Sequence, residues 1–510
     1  MAVEIPLPSG FASLSEYVAE TKRVYEKYAY LLNMHMVDFF VNGHMKRLPR
    51  EWQEYFGAPE FDIRSLIPMA SLGQVDAQAP VSLHKYIGEM FRLRLEYQGN
   101  KDHMCHETEG TYMSYFLDGM RQKKQAEVAV LSRLIDDVAV ESQSRLVVDV
   151  GAGQGYLSRV LAYSETRSEP RVLAIDSSVK QKQGAEAMQK RTIARLQGRR
   201  AASEGFCWDP RRAERLAHAV MHVTLDNASD LAAAARDALV GTGEPDARWM
   251  LCGLHACGDL SSAVLRAFGE SDAAAVVLVP CCYNHISEAP SAVAGKQLSE
   301  SEQLPESEQL PESKQPVVGF PLSSEMRGIQ LGMFALKVAC QATARWDADP
   351  DAAVAAFHRN HHRALLQALM VAEGQLGRDD APPVIGRVTN TELAAAHDSL
   401  VVGEAAVSAD ERAFLAYVFA ALTKLRHTWR PSAEACIGCY RWHGGKGLRQ
   451  LAAVWALRSV AGPLVESMLV LDRALYLGGV CGRVRAFAAF DPATSPRNLV
   501  VVGERNFRGF

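Results

Sequence analysis

The sequence predicts an α/β fold: a mostly parallel sheet covered on both faces by helices, with a helical N-terminal cap ahead of it and a helical insertion within it. Three observations carry this. Apolar runs of strand length alternate with helical stretches from Leu146 to Val279, the βαβ rhythm of a parallel sheet. A glycine-rich turn, Gly151-Ala152-Gly153-Gln154-Gly155, joins the first of these runs to a helix. Two strand-like runs, Val484 to Phe490 and Leu499 to Glu504, return at the far end of the chain, where they can complete the sheet.

A chain of 510 residues exceeds one ordinary core, so two or three domains, or one domain with large insertions, are expected. At 48% hydrophobic and 22% charged residues the composition is that of a soluble globular protein. A formal net charge of -4 provides no global attraction to nucleic acid, so any polyanion must be met by a local patch. The ten cysteines are scattered without the dense spacing of a secreted scaffold, which points to a reducing compartment, the cytoplasm or the nucleus. The opening MAVEIPLPSGFASLSEY lacks the basic-then-apolar order of a secretory signal. The apolar stretch Leu451 to Val480 is interrupted by Arg458, Glu466, Asp472 and Arg473, which argues against a membrane span.

Residues 1–118 read as the cap, with Phe11, Leu14, Tyr17, Val18, Thr21 and Tyr25 at helical spacing. Residues 119–345 form the core. A helix over about Lys123 to Val140 leads through Glu141-Ser142-Gln143-Ser144 into the β-branched run Leu146 to Val150. The following strands are Val172 to Ile175, Ala219 to Thr224, Trp249 to Cys252 and Ala275 to Val279. Within the core, residues 297–314 repeat with a period of six as QLSESE, QLPESE, QLPESK, a Pro, Ser and Glu composition that fits no packed element and predicts disorder. Residues 346–445 are helical and Ala-rich, and 446–510 hold a long helix, about Gly447 to Leu477, and the two closing strands.

The most informative motif is VVDVGAGQGYLSRVLA, which places Asp149, Gly151, Gly153 and Gly155 between a strand end and a helix start. Glycines there let the backbone turn sharply and approach a ligand, while the helix start offers unpaired N–H groups. A nucleotide-like cofactor is therefore expected. A nicotinamide loop, GxGxxG, requires glycine where Tyr156 stands, so a dehydrogenase is disfavoured. What remains is DxGxGxG, the glycine loop of S-adenosylmethionine-dependent methyltransferases, and Leu146 to Arg345 resembles that superfamily. The resemblance implies a Rossmann-like class I methyltransferase sheet with S-adenosylmethionine as cofactor. Asp176, ending the second strand, can accept hydrogen bonds from both ribose hydroxyls. After the third strand, Asp226 with Asn227 stands where the superfamily often meets the adenine.

After the fourth strand comes GLHACGDLSSAVLRAF, with His255, Cys257 and Asp259, and after the fifth comes PCCYNHI. Ligands in such sheets sit outside the carboxyl ends of the strands, so His255 and Cys282 should share one pocket. His255, Cys282 and Tyr283 are accordingly the candidate catalytic residues, with Cys282 a small soft wall and Tyr283 covering the methyl or packing on the acceptor. The plainer alternative is buried small cysteines at a strand end. A zinc site would draw on His255, Cys257, Cys281, Cys282 and His285. Adjacent residues of an extended chain face opposite ways, however, so Cys281 should turn to the core and share no ion with Cys282, and no metal is expected. A cysteine nucleophile would need a lowered pKa from His255 or His285, yet sulfonium methyl transfer rarely needs a covalent intermediate. The pair Cys436-x-x-Cys439, followed by His443, lacks a second pair and reads as core or loop thiols. The Asn/Asp-Pro-Pro-aromatic motif common in adenine N6 methylation does not follow the fourth strand.

Four segments make a narrower resemblance: GMRQKKQAEV from Gly119, VVDVGAGQGYLSR, LHACGDLS with PCCYNHI, and LDRALYLGG with FDPATSPRNL. From about residue 30 onward the chain resembles the methyltransferase-like protein 25 family, including its ribosomal RNA adenine dimethylase domain-containing branch. It departs from the family's Met-Ser-Pro-Lys-Lys-x-His-Glu-Val at Met120 to Val128, where the Ser, Pro and His are replaced. Lys123 and Lys124 remain as substrate or helix-start contacts. The His-x-Cys-Gly and Cys-Cys segments are also distantly similar to a tRNA ribose methyltransferase group. The resemblance implies an S-adenosylmethionine-dependent methyltransferase with no settled substrate; a macromolecular acceptor, RNA or protein, and no membrane partner are expected, and the alternative is a non-catalytic binding module that keeps the cofactor fold. Lys180, Lys182, Lys190, Arg191, Arg195, Arg199, Arg200, Arg211, Arg212 and Arg215 crowd one region that either holds phosphates or forms a solvated face.

Overall fold

The computed structural model describes residues 2–95, 116, 119–198, 208–241, 243–289, 317–398, 407–491 and 494–505. The period-six repeat, Arg199 and Arg200 lie outside the described residues.

Eight strands form one sheet: β1 Ala2–Glu4, β2 Ser144–Val150, β3 Arg171–Asp176, β4 Leu216–Val220, β5 Arg248–Cys257, β6 Ala275–Cys281, β7 Arg483–Ala488 and β8 Leu499–Glu504, in the order β1-β7-β8-β6-β5-β2-β3-β4. Every pairing is parallel except those of β8 with β6 and β7. The central strands are buried along almost their whole length, which is why they read as continuous apolar runs rather than alternating ones. On one face Val147, Val172, Ala174, Met250, Cys252 and Val277 share a core with the helices Gln122–Glu141 and Tyr156–Tyr163. Because β2 pairs β3 on one side and β5 on the other, the connections diverge there and leave a crevice at the carboxyl ends.

The described chain divides into two compact units. One comprises Met1–Tyr25, Leu93–Cys340 and Pro463–Phe510, and holds the sheet; the other comprises Glu26–Arg92 and Gln341–Gly462. The boundaries 1–118 and 346–445 are therefore corrected, because most of the cap and the insertion form a single helical body. Within it the helix Ala433–Val460 packs on Arg50–Gly57, Leu66–Leu72 and Pro350–Ala372. The Tyr86 hydroxyl donates to the Leu457 carbonyl at 2.7 Å, and Arg458 donates to the Leu32 carbonyl at 2.9 Å. An amphipathic helix announces an apolar face but not its distant partner, so periodicity alone separated these segments.

Three elements depart from their predicted bounds. The third core strand lies at Leu216–Val220 rather than Ala219 to Thr224, because as an edge strand with mixed exposure it carries little burial pattern. The fourth runs on to Cys257, with a register shift between Leu254 and Ala256. The long closing helix is two, Ala433–Val460 and Gly462–Gly478. Cys436 is buried in the core of the helical unit and the Cys439 sulfur packs at 3.7 Å on the Leu365 carbonyl, so this pair is structural.

Candidate functional site

The crevice at the carboxyl ends opens into a cavity of about 520 Å³, with Gly151, Asp176, Met221, Asp226, Cys257 and Leu260 on its walls. That volume is within the range of small-molecule and cofactor sites. The loop after β2 is shaped by Gly151, Gly153 and Gly155 at φ 74°, 54° and 64°. A side chain at Gly155 would also meet His218 at 3.3 Å, so both conformation and space demand glycine there. The amides of Gly151 and Ala152 both donate to the Ile175 carbonyl, fastening the loop to β3.

Asp176 braces this loop and faces the cavity. One carboxylate oxygen accepts from the Gly153 amide and the other from the Ser178 amide, each at 2.9 Å. A carboxylate has about four acceptor positions, so two remain for a ligand's hydroxyls. Asp226 is exposed on the same wall, at the tip of a loop closed by Asn227, whose amide oxygen accepts from the Thr224 amide at 2.7 Å. Asp149 is placed differently from the expectation of a cofactor contact. It is 2% exposed beneath the loop, accepts from Ser158 Oγ at 2.5 Å, and anchors the helix start rather than walling the cavity. Burial, only partly offset by Ser158 and Lys124, raises its carboxyl to about 6.

The three expected catalytic residues separate. His255 is half-buried at the end of β5 with φ 64°, a left-handed conformation rare for a residue with a side chain. That twist aims its Nε2 at Glu127 Oε2, 2.9 Å away. Glu127 is 1% exposed and also accepts from Ser495 Oγ at 2.7 Å, with Lys123 Nζ at 3.5 Å. Burial would raise this carboxyl, but His255, Ser495 and Lys123 together hold it down at about 2. Sequence reasoning quoted Glu127 only as a motif letter; an acid on the core face of an amphipathic helix was the signal that could have singled it out. Tyr283 lies fully inside the protein, donates its hydroxyl to Glu466 Oε1 at 3.1 Å, and is not among the cavity walls, so the expectation that it covers an acceptor is corrected.

Cys282 is half-buried and likewise off the cavity wall, whereas Cys257 is exposed on it. The expectation that Cys281 and Cys282 face opposite ways also fails. Cys282 adopts φ 49° and ψ 49°, which interrupts strand alternation and brings its sulfur to 3.8 Å from that of Cys281. Cys281 itself is buried, as expected, and its sulfur lies 3.0 Å from that of Cys257.

An adenosine-bearing cofactor needs hydroxyl acceptors, a backbone loop without side chains, and apolar walls for the base. Asp176, the Gly151 turn, and Met221 with Leu260 meet those needs in one cavity. Residues 123–289 match the family model described as "Methyltransferase domain". With the sheet order above, this defines a class I methyltransferase domain, whose cofactor is S-adenosylmethionine. Among solved structures, coclaurine N-methyltransferase bound to N-methylheliamine and SAH is similar at 15% identity with a TM-score of 0.18, covering 51% of this chain and 63% of that one. The aligned part is thus less than two thirds of that enzyme, and at this score nothing about the site is taken from it.

Proposed function

We propose that the protein is an S-adenosylmethionine-dependent methyltransferase of the methyltransferase-like protein 25 type, acting on a macromolecule in the cytoplasm or nucleus. The observation that carries this is the cavity at the β2/β5 crevice, where a glycine loop and the open acceptor positions of Asp176 face one space. Bound S-adenosylmethionine supplies a methyl group already activated as a sulfonium, so the protein's task is to hold an acceptor in line and manage its proton. His255, like Cys282 and Tyr283, is not among the cavity walls, but it is oriented by the buried Glu127 and is the group assigned to receive that proton from an acceptor held beside the cavity.

RNA is the first acceptor class to test. Lys180, Lys190 and Arg191 are exposed on the helix Val179–Leu196, which begins three residues after Asp176. Four others are engaged in ion pairs: Lys182 with Glu186, Arg211 with Asp209, and Arg212 and Arg215 with Glu169. Calorimetry with S-adenosylhomocysteine should show binding that weakens at least about tenfold, or about 1.4 kcal/mol, in Asp176→Ala. Knockout-cell lysate incubated with labelled S-adenosylmethionine and the protein should then carry label in the RNA fraction. Label only in protein would reassign the substrate, binding without label in either fraction would indicate a non-catalytic module, and no binding would overturn the proposal.

A further inference from the structure

Three thiols meet at the carboxyl ends of β5 and β6. Cys257 and Cys281 are register partners across the two strands, and Cys282 turns back on them through its left-handed backbone. All three sulfur atoms lie within 4.8 Å of one another, and no disulfide joins them. Among the described residues this is the place where three metal-ligating side chains gather. Cys282 holds φ 49°, which costs a non-glycine residue about 1–2 kcal/mol. An ordinary extended Cys282 would point its sulfur away from the other two.

Zinc bonds to cysteine sulfur at about 2.3 Å, which in a tetrahedron sets sulfur atoms about 3.8 Å apart. Cys281 and Cys282 are already 3.8 Å apart. Cys257 and Cys281, at 3.0 Å, are in hydrogen-bond contact as thiols and would open by about 0.8 Å around a cation. The exposed Cys257 side chain can make that adjustment, and each thiol that binds releases its proton to solvent.

We propose that Cys257, Cys281 and Cys282 form a site for a soft metal ion, zinc by ligand type and number, whose fourth coordination position opens through Cys257 to the cofactor cavity. Three protein ligands with one open position is the pattern of a reactive rather than a purely structural zinc. The position would take a water or a soft donor such as a thiol and lower its pKa. Metal binding can be measured without any methyl acceptor, so the proposal stands or falls apart from the assigned reaction.

The full chain, purified under reducing conditions and exchanged into zinc, is analysed for metal content, with Cys436→Ser and Cys439→Ser as control variants. We expect about one zinc per chain in wild type and controls, and at least about tenfold weaker binding in Cys282→Ser, whose half-exposed side chain makes misfolding the smaller concern. Cobalt exchanged into the wild type should give thiolate-to-metal charge-transfer absorption that diminishes in Cys257→Ser and Cys282→Ser. Far-UV circular dichroism and S-adenosylhomocysteine binding on the same samples separate loss of the metal from loss of the fold or of the cofactor site. Less than about a tenth of an equivalent of zinc, undiminished zinc in both Cys257→Ser and Cys282→Ser, or a Cys257–Cys281 disulfide in metal-free protein would each overturn the proposal.

Discussion

Replacing Asp149 with Asn separates two roles that the glycine-loop motif confounds, touching the cofactor and supporting the loop. The carboxylate is 2% exposed and accepts from Ser158 Oγ, and burial raises it from 3.8 to about 6. A carboxyl whose folded pKa is raised binds its proton more tightly in the native state. Its contribution to stability is complete below the unfolded value and is lost as pH rises through the folded one. At about 1.4 kcal/mol per pH unit, the interval from 3.8 to about 6 corresponds to roughly 3 kcal/mol. Asp149→Asn preserves the side-chain shape and an acceptor for Ser158 but removes the titration. Urea denaturation should show the wild type losing roughly 3 kcal/mol relative to the variant between about pH 4 and pH 7.5, leaving the variant at least as stable at the upper end. Affinity for S-adenosylhomocysteine should fall less than in Asp176→Ala, since only Asp176 walls the cavity. A stability difference flat across that pH interval, or one of opposite slope, refutes the electrostatic account. A larger affinity loss in Asp149→Asn than in Asp176→Ala refutes the assignment of roles.

Other perturbations address the remaining parts of the site. Glu127→Gln should lower the methyl-transfer rate about 10²–10⁴-fold in single-turnover assays and shift its pH profile, with S-adenosylhomocysteine affinity kept; an unchanged profile removes His255 as the proton acceptor. The low carboxyl pKa of Glu127 also stabilises the fold above pH 4.5, and that stability is lost as pH falls toward about 2, a slope absent from the variant's acid titration. Tyr283→Phe leaves Glu466 buried without its hydroxyl donor, so stability should drop by about 1–3 kcal/mol while kcat stays unchanged. A kcat loss there would restore Tyr283 to the acceptor site. Gly155→Ala should destabilise by about 1–2 kcal/mol and weaken cofactor binding, and an unaffected Tm would contradict the left-handed loop.

Much of the sheet was legible because parallel strands buried on both faces leave continuous β-branched runs, as at Leu146 to Val150 and Ala275 to Val279. β8, although antiparallel to both neighbours, was placed to the residue, Leu499–Glu504, because it too is buried along almost its whole length and reads as a continuous apolar run. The edge strand β4 slipped because one exposed side erases that signal. At the site, motif and strand end coincide at Gly151 and Asp176, whereas Asp226 stands on the loop after β4; all three line the cavity. Asp149 shares the motif, yet its position on β2 sends it inward, and a motif letter carries no direction. Glu127 was hidden because its partners His255 and Ser495 lie 128 and 368 residues away. The helical unit was misdivided by the same blindness to long-range pairing, for Leu32 and Arg458 meet across 426 residues.

Two breaks in strand geometry at the rim of the sheet are alike. His255 at φ 64° and Cys282 at φ 49° stand at the carboxyl ends of neighbouring strands, and neither is glycine. Each conformation costs about 1–2 kcal/mol and persists only where the surroundings fix it. Close packing supplies that constraint beside them: a side chain at Gly258 would come within 2.6 Å of His285, so the two loops leave no slack. In extended backbone His255 would turn from Glu127, and Cys282 from Cys281. The His255–Glu127 pair and the thiol cluster therefore both depend on backbone strain held at the rim of the sheet, where a cofactor cavity opens. Relaxing either residue would disperse its constellation, so the strained backbone and the placing of these side chains go together.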